Sequence, residues 1–534
     1  MIARLEGACD VERALEVFKT WDAQRREFDT WAALTELRFQ QDTRNPQYKA
    51  DADRLNELRP KLTGLDVAIK RKFLASPLRH ALEKELGAYA FERWQIEVSA
   101  YDPVVEPFVV SESRLCDEYT QLVAQAAFDF RGEHLTLAQI NKFAEDPDRE
   151  LRREAAAAKW AFCEKHAATL DRIYDELVHL RTEMARRLDF HNFIELGYRR
   201  LTRTGYGSAE VARYREEIAR EIVPLAQRIC AQQARDLGID EIMLWDEQVF
   251  DAAPPPKPPQ TYDGMMQAAK AVFSAMGPQI DALTKLMIER ELLDLQARPG
   301  KASGGFCTEF PTYGLPFVFA AFNGSTHDVN VLVHEMGHAL QKYLSRDVAV
   351  LDYLSPTFES CEIHSMSMEF LAWPHLERFF GADAQRYRIG HLKSSLLFLA
   401  YGAAVDHFQH FVYENPQAPA GERKAFWKQL EATYLPWRRY GGIGHLERGG
   451  YWQMQRHVYL VPFYYIDYTL AMCCALQFWA RSLDDYEGAM ADYRALCARG
   501  GRLPFVALVR SAGLRSPFEP GVLHDVAQRA ASML

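Results

Sequence analysis

The chain has 534 residues, enough to bury one very large core or two to three smaller ones. Its 48% hydrophobic and 25% charged content is that of a soluble globular protein, and the formal charge of -10 is spread over 63 basic and 73 acidic residues without a long block of either sign, which argues against a nucleic-acid-binding surface. No apolar run reaches the length of a membrane span, and nine cysteines without any C-x-x-C pair suggest reduced thiols and exclude a cysteine-based zinc site.

The first residues, MIARLEGACDVERALEVF, place charges where a signal peptide needs its apolar stretch, so a cytoplasmic location is expected. From 11 to about 205 the chain carries long amphipathic runs such as YKADADRLNELRPKL, with helical period and no repeat of fixed length, which predicts a bundle of antiparallel helices. We therefore divide the chain into an N-terminal helical domain, 1–205, and a second domain, 206–534. Strand-like stretches are few: WQIEVSAY near 94 to 101, EIMLWDEQ near 241 to 248, and a small sheet from GGFCTEF and LPFVFAAF. Such a sheet could present an edge that pairs with an extended peptide. The proline run AAPPPKPP at 252 to 259 cannot be helical and reads as a surface connection.

Residues 334 to 338, His-Glu-Met-Gly-His, lie in the apolar frame VNVLVHEMGHALQKYL. Two imidazoles four residues apart project from one helical face, so His334 and His338 can ligate a single tetrahedral Zn²⁺, and Glu335 can take a proton from a metal-activated water. Asn323, Ser325, Thr326 and Asp328 supply capping residues ahead of the run, and Val331, Leu332, Met336, Ala339, Leu340 and Tyr343 give it a buried side. The alternative is an ordinary buried helix, and apolar helices seldom hold two histidines and a glutamate without cause.

A catalytic zinc takes three protein ligands and leaves one position open. The residues after His338, Ala339 to Leu344, exclude a third histidine in the metzincin pattern. The next segment opens with Ser355 as N-cap and Pro356 at the first helical position, and it places Glu362, Ser365, Met366 and Glu369 on one face. Glu362 could be the third ligand, with Glu369 accepting the free N–H of a ligating histidine. Spacing alone also allows Glu359. Cys361 beside Glu362 points elsewhere on the helix and reads as packing.

The string FNGSTHDVNVLVHEMGHAL, followed by CEIHSMSMEFLAW, resembles the zinc oligopeptidases of the thimet oligopeptidase and oligoendopeptidase F family, as do GKASGGFCTEFPTYGLPFVFAAF upstream and RHVYLVPFYYIDYTLA downstream. The resemblance spans roughly residues 180 to 480. It implies Glu362 as the third zinc ligand and Glu369 as a residue behind the ligands. It also implies a mainly α fold, a helical ellipsoid of two halves around a deep channel with a small β-sheet near the site. Residues 206–534 would then be the catalytic part.

Hydrolysis of a peptide bond creates a tetrahedral oxyanion that needs a donor opposite the metal. His457, Tyr464, Tyr465 and Tyr468 follow the glycine-rich stretch GGIGHLERGGYW, which could let a loop fold over substrate. The resemblance places this histidine and these tyrosines in the family's active site, while at least one tyrosine must pack in an aromatic core. His327, just before the motif helix, is a candidate substrate contact; His364 lies off the Glu362 face and reads as structural. The expectation is a cytoplasmic endopeptidase with one Zn²⁺ per chain, acting on short unfolded oligopeptides as a monomer or small homo-oligomer. The alternatives are a helical metallocarboxypeptidase and a non-catalytic zinc- or peptide-binding protein.

Overall fold

The computed structural model describes residues 1–534. Asp10 caps the first long helix, Val11–Gln41, by accepting from the Arg13 N–H at 2.9 Å, and Asn45 caps the second, Pro46–Leu74, by accepting from Gln47. The two helices bury Trp21 and Phe73 against Trp94, with ring centroids 5.5 to 5.8 Å apart. This cluster also takes in Val348, Val350, Tyr353 and Leu354, so the N-terminal helices dock onto a segment from the middle of the chain.

Trp94 lies on the helix Ala88–Ser99, not on the strand that WQIEVSAY suggests. Its buried residues Tyr89, Ala90, Phe91 and Trp94 recur at helical spacing, and that stripe outweighs the short alternation after Trp94. EIMLWDEQ is likewise no strand. It makes a 3₁₀ turn at Leu244–Asp246, in which the Asp246 carboxylate accepts the Met243 N–H and pairs with Arg149 and Arg152 at 2.8 Å. A hairpin that the sequence reading passed over, Ala127–Phe130 with Glu133–Thr136, turns at Arg131 and Gly132, both at positive φ as a two-residue primed turn requires.

The two strands expected ahead of the motif helix do form. Gly305–Phe310 pairs antiparallel with Leu315–Phe322, Gly305 opposite Ala320 and Phe310 opposite Leu315. Leu293–Gln296 adds a parallel partner on the other side, which leaves Gly305–Phe310 as a free edge. The main core unites the sheet with the helices Thr326–Leu344, Phe358–Leu371, Ala384–Glu414 and Tyr465–Asp484. The last two come very close: a Cβ on Gly402 would fall 2.2 Å from Thr469 Cγ2. The molecule is mainly α, and no helix is long and apolar enough to cross a membrane.

Candidate active site

The helix Thr326–Leu344 carries the His-Glu-Met-Gly-His motif. Ser325 occupies its N-cap without a side-chain bond; Asp328 in the first turn fixes the loop ahead of it, accepting the N–H groups of Asn323 and Gly324 at 2.8 and 2.7 Å. Leu332, Met336, Ala339 and Leu340 are buried as expected, whereas Val331 and Tyr343 are only partly so. The following helix, Phe358–Leu371, begins two residues later than its Ser-Pro signal indicated, with Thr357 at the N-cap. Ser355 donates its hydroxyl to Glu309 Oε1 at 2.9 Å instead, which draws it away from a capping role.

The two helices bring three donors together. His334 Nε2 and His338 Nε2 lie 3.3 and 3.5 Å from the same oxygen, Glu362 Oε2, and the three ligand atoms all fall within 4.8 Å of one another. A tetrahedral zinc at about 2.0–2.1 Å from each donor requires edges of about 3.3 Å, so this set fits the ion. Burial alone would raise the Glu362 pKa, but hydrogen bonds and charge from His334 and His338 hold its carboxyl well below the usual range. Glu359 joins none of this. It is buried on another side of the helix near Arg203, and its pKa is raised by that burial.

Behind the donors runs a chain of hydrogen bonds that fixes tautomers. Trp373 Nε1–H donates to His391 Nδ1 at 3.2 Å, so the His391 proton sits on Nε2 and goes to Glu369 Oε2 at 2.7 Å. The other Glu369 oxygen accepts from His334 Nδ1 at 2.7 Å, leaving the His334 Nε2 lone pair aimed at Glu362 and His338. Glu369 is itself held low, at about 2, where His334 and His391 overcome the cost of burial. His391 and Trp373 escaped the sequence reading. Trp373 follows directly on the helix that carries Glu369, while His391 has no spacing relation to the motif and is brought in by the packing of Ala384–Glu414.

Glu335 is 7% exposed, and its Oε2 has no partner. Burial raises its pKa, and Glu362 and Glu369 add to the rise against the opposing pull of His334 and His338. Tyr464 donates its hydroxyl to Glu362 Oε1 at 2.8 Å. The residue before it, Phe463, adopts φ 67°, a strained left-handed turn held by Gln409 Oε1 on its N–H and Arg203 on its carbonyl. Tyr468 lies one turn on, its ring 4.8 Å from that of Tyr464. Tyr465 faces Phe398 and Tyr401 in an aromatic patch and makes no bond to Glu362.

His457 borders all three tyrosines, with ring centroids 5.2 to 5.7 Å away. Burial, with Arg456 nearby, lowers its pKa to about 4, so it is neutral at physiological pH. Tyr401 donates to Gln455 Oε1, which turns the Gln455 amide nitrogen toward His457 Nδ1 at 2.9 Å. The His457 proton therefore sits on Nε2, free to donate. His327 stands exposed in the first turn of the motif helix, apart from the three-donor cluster. His364 is fully buried, its pKa lowered to about 4 by burial, and bonds to the Cys361 carbonyl. Cys361 is packed, with its thiol pushed up to about 12 by burial.

The chain is similar to known proteins along most of its length. The Peptidase M3 N-terminal domain matches residues 1–101, and the Peptidase family M3 domain matches residues 142–527. Among solved structures, Pz peptidase A with an inhibitor shares 42% identity over 100% of this chain and 95% of its own, with a TM-score of 0.96. An X-ray structure described as that of an oligoendopeptidase F shares 43% over 99% and 94%, with a TM-score of 0.95. Oligopeptidase PepF of Bacillus subtilis (strain 168) is 21% identical over 301 residues, a match that covers 55% of this chain and 44% of that protein. With three-quarters of its length in one peptidase domain and its whole backbone superposable on such enzymes, the chain belongs to peptidase family M3 and is a metallopeptidase of the oligoendopeptidase kind.

Proposed function

We propose that the protein is a zinc-dependent oligoendopeptidase that hydrolyses internal bonds of short, unfolded peptides, with one zinc ion per chain. The observation that carries this reading is the convergence of His334 Nε2 and His338 Nε2 on Glu362 Oε2 at 3.3 and 3.5 Å, all within 4.8 Å of one another, with an unpartnered oxygen on the adjacent Glu335. Zinc held by these three residues supplies Lewis-acid chemistry, polarising the peptide carbonyl and acidifying a water.

Glu335 accepts a proton from the water as its oxygen adds to the carbonyl carbon. It then delivers that proton to the amine nitrogen as the C–N bond breaks, and a carboxyl with a raised pKa suits both tasks. His457 Nε2–H and the Tyr468 hydroxyl donate to the oxyanion. Tyr464 orients Glu362 and becomes a further donor if its hydroxyl turns to substrate. Tyr465 backs His457 and Tyr468 from the aromatic patch. Glu369 holds His334 through its Nδ1–H. His327, exposed at the head of the motif helix, contacts the substrate away from the reacting bond. Nine cysteines without a disulfide suit a reducing compartment such as the cytoplasm.

The test is Glu335→Gln, which keeps the side chain's size and removes the basicity of its carboxylate. Peptidase activity should fall by about 10²–10⁴ with zinc content unchanged; activity within a few-fold of the parent protein would sink the assignment.

A further inference from the structure

Away from the catalytic cluster, a cavity of about 1010 Å³ opens between the two long N-terminal helices, the far half of the edge strand at Thr308 and Glu309, and the segment 351–355. Part of its wall is apolar, with Trp21, Phe28 and Ile69; the rest holds five carboxylates and four basic side chains. The bases are committed. Arg25 pairs with Asp22 and Asp352 at 2.8 Å, Lys70 with Asp66 and Glu97 at 2.5 Å, and Arg59 with Glu36, while Arg93 donates to the main-chain carbonyls of Asp352 and Ser355. Asp29 is left open to the cavity without an ion pair or a side-chain hydrogen bond. Two further carboxylate oxygens in the wall, Asp66 Oδ1 and Glu309 Oε2, are sealed from solvent with no partner. Desolvation by the surrounding walls, together with Asp66 and Glu309, raises the Asp29 carboxyl to about 6 against the pull of Arg25 and Arg59, although the side chain remains exposed to the cavity.

The edge strand leads from the reacting centre to this place. A Cβ on Gly305 would lie 3.7 Å from Glu335 Oε1, and four residues of strand from Gly305 to Glu309 span about 13 Å. A peptide paired with the free edge at Gly305 therefore runs its chain into the cavity within a few residues of the scissile bond. A C-terminal carboxylate brought there would meet the unpaired charge of Asp29, so the segment that enters is the amino-terminal side of the substrate.

We propose that this cavity is a subsite for a cationic group of the peptide, on the amino-terminal side of the scissile bond, with Asp29 as its counter-ion. The inference rests on the peptidase reading above. The cation is either the peptide's α-ammonium or a lysine or arginine side chain.

The test uses the zinc-loaded full chain and three peptides that share one scissile sequence. One has a free amino terminus, one is acetylated and neutral, and one is acetylated with a lysine three residues before the scissile bond. The parent protein should take a cationic peptide roughly tenfold more tightly than the neutral one, the size of a charge-assisted hydrogen bond. Asp29→Asn should erase that preference while leaving kcat and KM for the neutral peptide unchanged. A gain confined to the free terminus identifies the α-ammonium, and one confined to lysine identifies a side chain. Equal affinity for all three, or a preference that survives in Asp29→Asn, overturns the proposal. Dissociation constants measured by fluorescence anisotropy on Glu335→Gln protein read the same preference without turnover, so failure to cleave any peptide would count against the peptidase reading alone.

Discussion

Gly337 touches the backbone of Ser365: a Cβ on Gly337 would fall 2.6 Å from Ser365 Cα and 2.6 Å from the His364 carbonyl oxygen. The middle glycine of His-Glu-Met-Gly-His thus sets the separation of the two helices that carry the three donors. Gly337→Ala should force them apart and draw Glu362 away from His334 and His338. We expect a stability loss of about 1–3 kcal/mol by thermal unfolding of the zinc-free protein, together with weaker zinc retention. Unchanged zinc affinity would mean that the helices yield elsewhere.

His391 acts on the site through Glu369. His391→Ala leaves one Glu369 oxygen without its donor and loosens the hold on His334 Nδ1. Outer partners of this kind contribute about 10–100-fold to metal affinity. A zinc competition assay should show a loss in that range, whereas Glu359→Gln, remote from the donors, should show none.

The aromatic wall separates by residue. Tyr468→Phe should lower kcat by about 10²–10³, the usual effect of one oxyanion donor, with little change in KM or zinc content. Tyr464→Phe removes a bond to Glu362 as well, so its loss of kcat should come with weaker zinc binding. Tyr465→Phe should change kcat least, since its ring faces Phe398 and Tyr401. Steady-state kinetics beside elemental analysis reads all three.

An ion-pair cluster centred on Glu112 and the buried Arg181 predicts how the fold responds to acid. Glu112 pairs with Arg181 at 2.6 Å and Arg200 at 2.8 Å, and although burial opposes its charge, the two arginines lower its pKa from 4.5 to about 2. A carboxylate depressed in the folded state stabilises above its unfolded pKa, and that contribution is lost as pH falls through the folded one. Stability should therefore decline between pH 4.5 and about 2 through this group. Glu112→Gln should cost about 3–5 kcal/mol at neutral pH by leaving the buried Arg181 guanidinium unneutralised, and should flatten that part of the stability curve.

Much of the site was legible because its parts are local. His334, Glu335 and His338 lie within two helical turns, and Glu362 and Glu369 share one face of the next helix. His391, Trp373, Gln455 and Tyr401 were not legible, since their roles come from helix packing that brings distant segments together. The candidate tyrosines were found as a group, but their division into Tyr464 on Glu362 and Tyr465 in the aromatic patch depends on the strained turn at Phe463, which no spacing rule signals. The fold was read as mainly helical from long amphipathic runs. It was misread at WQIEVSAY, where an eight-residue alternation hid the helical stripe that begins at Tyr89, before the window opens.

The most direct measurement is mass spectrometry of a peptide about ten residues long, acetylated at one end and amidated at the other, incubated with the zinc-loaded protein with and without a chelator. Cleavage at internal bonds, abolished by the chelator and restored by added zinc, is the predicted result. Cleavage untouched by the chelator would contradict the metal-centred mechanism, and an intact peptide whose free-carboxylate counterpart is trimmed from its C-terminus would show a carboxypeptidase instead.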